Sequence, residues 1–480
     1  MKNAVSANTY QFSAPYLRWS GYAVWAILAI FAVIFYEERA TFADGGFQLV
    51  ELINTGDFGI YHYRLSNPVT QIFAWTAVHA GLPLRAVMIL YSLNFIVFFA
   101  LIYHLLVAWC RNEYLAWTQI GFFTLLTTES FYFLTPEFYQ GMSLLLLLFG
   151  LLLRYELRLR GWLLSGVLIL LTFVIFDHLL LTGFFLFLWL YFWLLRPDFR
   201  RCGAYYILLA GGGILFYLSN RVFVSWYDAM KSKNFYANLE TYGDRILTLP
   251  AHGIFAEKCL NLYYFFPLLL LLLTGLYLRR FWKRKNISGL LKLILIWGFC
   301  CCYLIINHIS DPNTEFLFYS EVNYIGLTVP LCLPLLFDFA GKVRNQRLVL
   351  FIAAGIMLLR LWTIGVSHQR FEHTNRWIEA QFADTDTNKI ILRAEDAPQK
   401  IYVQDWAIPY QTLLLTAQDS PQSAKTLLIA TKEEQYLEFM QRNDLHLEVM
   451  RQTPLEDLNQ HYFELGEGRY LLIQTNPDDR

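Results

Sequence analysis

Five residues able to take or give a proton recur where the hydropathy pattern places one face of a membrane: Asp44, Glu129, Glu137, Asp177 and His178. A positioned carboxylate can accept the proton of a hydroxyl or amine as it attacks, and an imidazole can pass one on. An ionisable group within an apolar stretch is costly and is a functional-site hypothesis by default. Asp44 stands just after the first apolar run, in Phe42-Ala43-Asp44-Gly45-Gly46, and opens the amphipathic segment FADGGFQLVELINTGDF. Its plain reading is a helix N-cap, a role compatible with that of a base. Glu37 and Glu38 read as a solvated interface edge or as cavity-lining acids. Glu129, in the outer half of the third span, reads as a buried polar partner or a site acid. Glu137 follows Thr135-Pro136 and is a helix-start carboxylate favoured by the dipole, or again a site acid.

Cations on the same side include His62, Arg64, Lys231, Lys233, Arg245 and His308, each a weak signal alone. Arg360 lies about six residues from the outer end of the last span. It either snorkels outward or holds a phosphate in its guanidinium fork. Oxygen ligands from paired acids would suit Mg2+ or Mn2+, but the histidines show no zinc spacing and no metal site is indicated. The seven cysteines lie in or beside spans, and Cys300-Cys301-Cys302 reads as small apolar packing.

The elements that position these groups are mostly membrane helices. With 56% hydrophobic and 16% charged residues the chain is a polytopic membrane protein. About eleven spans are predicted: 19–36, 86–109, 116–134, 138–153, 162–177, 179–195, 204–223, 259–278, 288–306, 322–340 and 347–366. Four short loops are basic: Arg154/Arg158/Arg160, Arg196/Arg200/Arg201, Arg279 to Lys285, and Lys342/Arg344/Arg347. They should be cytoplasmic. Two basic loops flank 162–195, so an even number of spans joins them, and Asp177-His178 forms the outer turn. The N-terminus is then inside, behind an uncleaved signal anchor, and the C-terminus outside.

The first outer loop predicts two surface helices. One runs from Asp44 to a stop at Gly56 and has Gln48, Glu51 and Thr55 on one face. The other is capped by Asn67, with Pro68 in its first turn, and ends at Gly81. Residues 1–366 form the transmembrane domain. Residues 367–480 hold 11 Lys and Arg against 19 Asp and Glu, an acidic composition unsuited to nucleic acid or anionic lipid. HQRFEHTNRWIEAQF reads as a helix, KIILR, KIYV, TLLIA and YLLIQ as strands, and KEEQYLEFMQRN as an exposed helix. Together they predict a small α/β domain outside the membrane.

Taken together, these motifs resemble the glycosyltransferase C superfamily, which includes protein O-mannosyltransferases and lipid A aminoarabinose transferases. The matching landmarks are Asp44 after the first span, the Pro-led second interface helix SNPVTQIFAWTAVHAGLP, Glu137 in TPEFYQGMSLLLLLFGLLLR, and His178 in FDHLLLTGFF. The chain departs from the family pattern at Gly45, where a second acid is usual, and at His178.

The resemblance implies an inverting transfer of a sugar from a polyprenyl-phosphate donor to a lipid, glycan or protein acceptor, beside membrane lipids, at the outer face of a bacterial inner membrane. Asp44 would be the base and Glu137 a second catalytic acid. His178, Arg360 and Arg64 would bind the carrier phosphate, and Glu129, Asp177, Glu37 and Glu38 would line the cavity. The departures leave open a divalent ion and a catalytically silent subunit of an envelope complex. A lipid or polysaccharide transporter is a further alternative, but the chain shows no internal repeat.

Overall fold

The computed structural model describes all residues except 1–14, 135, 157–160, 315–316, 341–342, 344, 384, 399–403, 431, 433–436, 438, 450–451 and 474–480. The strand expected at KIYV and residues 433–436 and 438 of the helix expected at KEEQYLEFMQRN fall outside the described residues; Phe439–Gln441 of that helix form a single 3-10 turn.

The first apolar run forms α1 (Pro15–Ile34). Two short helices follow, α2 (Tyr36–Thr41) and α3 (Ala43–Thr55). Gly56 stops α3 as expected: its left-handed φ of 71° turns its N–H back onto the Leu52 carbonyl. The second expected surface helix is split into a 3-10 turn, Asn67–Thr70, and α4 (Ile72–His79). Ser66, not Asn67, stands at its N-cap position.

Then come α5 (Leu84–His104), α6 (Glu113–Thr124), α7 (Pro136–Arg154), α8 (Trp162–Asp177), α9 (Leu181–Leu195) and α10 (Gly203–Arg221). A 93° bend separates α10 from the segment that opens with α11 (Trp226–Tyr242). The bundle is completed by α12 (Pro250–Asn261), α13 (Phe265–Arg284), α14 (Ile287–Ser310), α15 (Leu317–Tyr324), α16 (Thr328–Pro334) and α17 (Gln346–Val366).

Among the described residues, seven helical runs are long and apolar enough to cross a membrane, or eight if the bent α10–α11 pair is one span. The chain is therefore a polytopic helical membrane protein. Three of the eleven expected spans correspond to shorter helices. At 1.5 Å per residue, α6, α8 and α9 reach only about 18–24 Å, less than a bilayer core of about 30 Å. The apolar sequence of the third expected span continues to Leu134, but the helix stops at Thr124 and Glu129 opens a separate 3-10 turn.

One end of the bundle is tied by a buried ion pair. Lys292 Nζ lies 2.9 Å from both carboxylate oxygens of Asp338. Tyr191 and Tyr277 donate to the same carboxylate at 2.9 and 2.7 Å, and Arg280 donates to the Asp338 carbonyl at 3.0 Å. This network joins the C-terminal halves of α9 and α13, the start of α14 and the turn after α16. Arg18 and Glu113 pair at 2.8 Å between the starts of α1 and α6.

Beyond α17 the chain continues into α18 (His368–Ala380), the helix expected there, and a small sheet region. Strands β1 (Lys389–Arg393), β2 (Thr426–Ala430) and β5 (Leu471–Ile473) form a parallel sheet of order β2-β1-β5. Strands β3 (Leu445–Leu447) and β4 (Gln452–Pro454) pair antiparallel. The alternation of side chains along a strand sends Ile390 and Leu392 to one buried cluster and Ile391 to another.

This region does not stand apart from the bundle. Helix α19 (Ile408–Thr416) contributes Tyr410, Leu413 and Leu414 to the core cluster that runs through the membrane helices. Tyr36 donates to Gln418, Asn459 bonds both Asn54 and the Ile53 carbonyl, and Arg85 pairs with Asp419.

Candidate functional site

Asp44 lies in the first turn of α3, one residue past its start, so it is not the expected N-cap; Phe42 holds that position with no side-chain cap. Ala43 has a φ of 46°. A residue with a Cβ in that region costs on the order of 1 kcal/mol. His62 and Tyr63, just before Arg64, are also left-handed, at 52° and 60°. Backbone held in such regions clusters at functional sites, and here it lies on both sides of the same group of charges.

The Asp44 carboxyl is half-buried. Burial raises its pKa to about 7, the negative charge of Glu137 adds to the rise, and Lys231 opposes it. Arg39, five residues before it, is not the opposing cation. Its fully buried guanidinium bonds the Ser92 hydroxyl at 2.8 Å and the Phe131 carbonyl and lies over the Phe131 ring. Burial lowers the Arg39 pKa to about 9.

Glu137, at the start of α7, is half-buried and feels Arg64, Lys231 and Asp228. The same three charges act on His178. Asp177 is fully buried: Ser66 Oγ lies 2.7 Å from its Oδ1, and Arg64 and Glu137 act on it. Arg64 gives one nitrogen to Asp228 at 2.6 Å and another to the Phe176 carbonyl at 3.2 Å. The structure thus brings Asp44, Glu137, Asp177, His178 and Arg64 into mutual electrostatic reach, directly or through a shared neighbour.

His178 enters this group differently from expectation. Its Nδ1 accepts the Leu180 N–H at 3.2 Å. Burial, with Arg64 and Lys231 nearby, pushes its pKa down to about 3. The ring is therefore neutral near pH 7 and offers a phosphate one N–H donor, not a positive charge.

Lys231, on α11, carries the charge instead. Its side chain is exposed and makes no ion pair among the described residues. Its Nζ lies 4.9 Å from the Tyr227 ring centre and 4.6 Å from that of Tyr319. Asp44, Glu137, Asp228 and Asp311 all act on it. Sequence reasoning had no means to single it out, because its interaction with Asp44 and Glu137 depends on the sharp bend before α11.

Four expected site residues lie elsewhere. Arg360 is fully buried and neither snorkels nor faces the group around Asp44. It donates to the carbonyls of Thr124 at 3.0 Å, Thr127 at 2.8 Å and Leu262 at 2.5 Å. The break after α6 leaves helix-end carbonyls without amide partners, and the guanidinium supplies the missing donors. Glu129 pairs with Arg370. The nearby Glu321 accepts from the Thr128 hydroxyl and, at 2.8 Å, the Ser130 N–H. Glu37 accepts from the Tyr36 hydroxyl at 2.9 Å. Glu38 is buried near His368 and Glu372, and burial raises its pKa to about 7. None of these four is among the charges acting on Asp44.

Position 45, where the family pattern has a second acid, is tight in this fold. A Cβ there would lie 3.2 Å from the Arg39 carbonyl oxygen and 3.3 Å from Leu134 Cβ, so a side chain would need these neighbours to give by a few tenths of an ångström. At Gly46 the conflict is harsher, 2.2 Å from the Thr41 carbonyl oxygen. Among the described residues no group of three or more His, Cys, Asp and Glu is arranged to hold a metal ion. The arrangement offers a carboxylate with raised proton affinity, a second acid, a neutral imidazole and two cations. These are parts suited to proton removal beside a leaving anion. No family model, curated protein or solved structure matches the chain.

Proposed function

We propose that the chain is an integral membrane glycosyltransferase that moves a sugar from a polyprenyl-phosphate-linked donor to an acceptor at the outer membrane face. The observation that carries this reading is the convergence of Asp44, Glu137 and Lys231, from the first loop, α7 and α11, into one interacting set. Asp44 takes the proton of the acceptor hydroxyl. The freed oxygen bonds to the anomeric carbon as the bond from that carbon to the phosphate oxygen breaks. The carrier phosphate leaves with the electron pair, and the centre inverts. Lys231 and Arg64 stabilise the charge on the departing phosphate, and His178 donates one hydrogen bond to it. Glu137 keeps the proton affinity of Asp44 high.

Arg154, Arg196 and the basic end of α13 lie at the opposite helix ends, on the side of the Lys292–Asp338 network. The positive-inside rule then puts the N-terminus in the cytoplasm and the Asp44 end outside, periplasmic in a bacterial inner membrane. Asp44→Asn tests the reading. It keeps size and removes the base, so transfer should fall about 10²-fold or more while folding and carrier binding persist. Normal transfer by a folded variant would refute the role of Asp44. A second reading, a subunit of this fold without catalysis, is favoured by one observation: position 45 carries no second acid and is tight for one.

A further inference from the structure

Phe47 and Gln48 follow Asp44 by three and four residues and share its face of α3. The Phe47 ring is half-buried and meets Tyr61 at 5.5 Å, Trp406 at 6.3 Å and Tyr410 at 5.2 Å between ring centres. Tyr410 is a fixed floor, 1% exposed, with its hydroxyl on Glu448 at 2.6 Å. Phe47, Tyr61 and Trp406 each keep part of their surface open. An interface built for packing alone would close over all three, since each buried ring adds apolar stabilisation.

Two buried polar atoms on residues close to these aromatics in the chain are left over. Gln48, 6% exposed, has a buried Oε1 with no hydrogen-bond partner among the described residues. Gln404, two residues before Trp406, has a buried Nε2 in the same condition. A buried polar atom without a partner costs about 1–3 kcal/mol, so each of the two calls for an explanation, and a ligand that supplied both partners would remove the cost. One needs a donor and the other an acceptor, and a hydroxyl is both. Asp405, half-buried between Gln404 and Trp406, adds a further acceptor. The molecule with apolar C–H faces and hydroxylated edges is a pyranose. An acyl chain would leave the amides unpaired.

We propose that Phe47, Gln48 and Tyr61 of the first loop, with Gln404, Asp405 and Trp406 of the C-terminal region, form a carbohydrate subsite, and that the acceptor is a glycan. Its place as acceptor subsite rests on the transferase reading; its binding of saccharide does not. The ring held there presents a hydroxyl to Asp44, one turn away on the same helix face.

The test is retention of the purified full chain on immobilised oligosaccharides of hexoses, N-acetylhexosamines and uronic acids, with immobilised peptides and acyl-chain vesicles beside them. Wild type and Asp44→Asn should both be retained on a saccharide class. Trp406→Ala should weaken retention about tenfold, Trp406→Phe by less than about threefold, and Gln404→Leu by about tenfold. Thermal melting of each variant separates lost binding from lost folding. Retention on no saccharide, retention only on peptides or vesicles, or retention unchanged in both folded Trp406→Ala and Gln404→Leu would overturn the proposal. No sugar transfer by the folded wild-type chain from any polyprenyl-phosphate-linked donor, with Trp406-dependent retention intact, would instead sink the transferase reading and leave the saccharide site standing.

Discussion

If Asp44 is the base, its own titration should set how transfer depends on pH. Its pKa is raised to about 7, by burial first and then by Glu137, against the pull of Lys231. A base works ionised, so transfer rises as pH rises through that value. With a midpoint near 7, about a tenth of the molecules are active at pH 6 and about nine-tenths at pH 8. Glu137→Gln removes a negative neighbour, so Asp44 gives up its proton more readily. A like charge raises the proton affinity of a neighbouring carboxyl, so the midpoint should fall below that of the wild type and transfer at pH 6 should become a larger share of its plateau. Lys231→Met removes the opposing charge, and its midpoint should move up, so that the plateau is reached only in more alkaline buffer.

The assay is initial transfer rate at saturating donor from pH 5 to 9, each variant scaled to its own plateau. Plateau height reports what Glu137 and Lys231 do for binding; the midpoint reports Asp44. Movement of both midpoints in the same direction, or of neither, would refute the electrostatic account.

Arg360→Leu should cost on the order of 3 kcal/mol or more, since up to three buried carbonyls lose their donor. Carrier affinity per folded molecule should stay unchanged, and a selective loss of donor binding in a fully stable variant would contradict this role. Gly46→Ala should lower the melting temperature by several degrees, because its Cβ would meet the Thr41 carbonyl at 2.2 Å; an unchanged melt would show that the turn before α3 gives way easily. A membrane-impermeant maleimide applied from outside should label a cysteine at Asp419, whose side chain is 84% exposed, and miss one at Asn286 beside the basic loop. The reverse pattern would invert the orientation.

Asp44, Glu137, Asp177 and His178 were legible as a group because each breaks an apolar pattern at the same predicted membrane level, and the alternation of basic loops fixes that level. Lys231 and Arg360 were not. Their tasks follow from two irregularities, the right-angle bend before α11 and the break after Thr124, and neither is written in hydropathy. Position 360 illustrates the difference. An arginine in an apolar helix reads as a charge in search of an anion, whereas its neighbours turn out to be carbonyls released by another helix. Gly45 is a similar case, since the tight approach of Leu134 and the Arg39 carbonyl appears only in the folded turn.

The bonds from Tyr36 to Gln418 and from Asn54 to Asn459 span 382 and 405 positions of the chain. Membrane helices insert in order during synthesis, yet the helix that carries Asp44 gains its last supports only when the C-terminal region arrives. Contacts of such separation form late, because the loop they close is long. A chain still emerging from the ribosome would therefore hold its membrane helices without a finished Asp44 helix. Completion of synthesis would itself be the step that matures the site, and a chain cut short before α19 would insert normally while leaving its first loop unsupported.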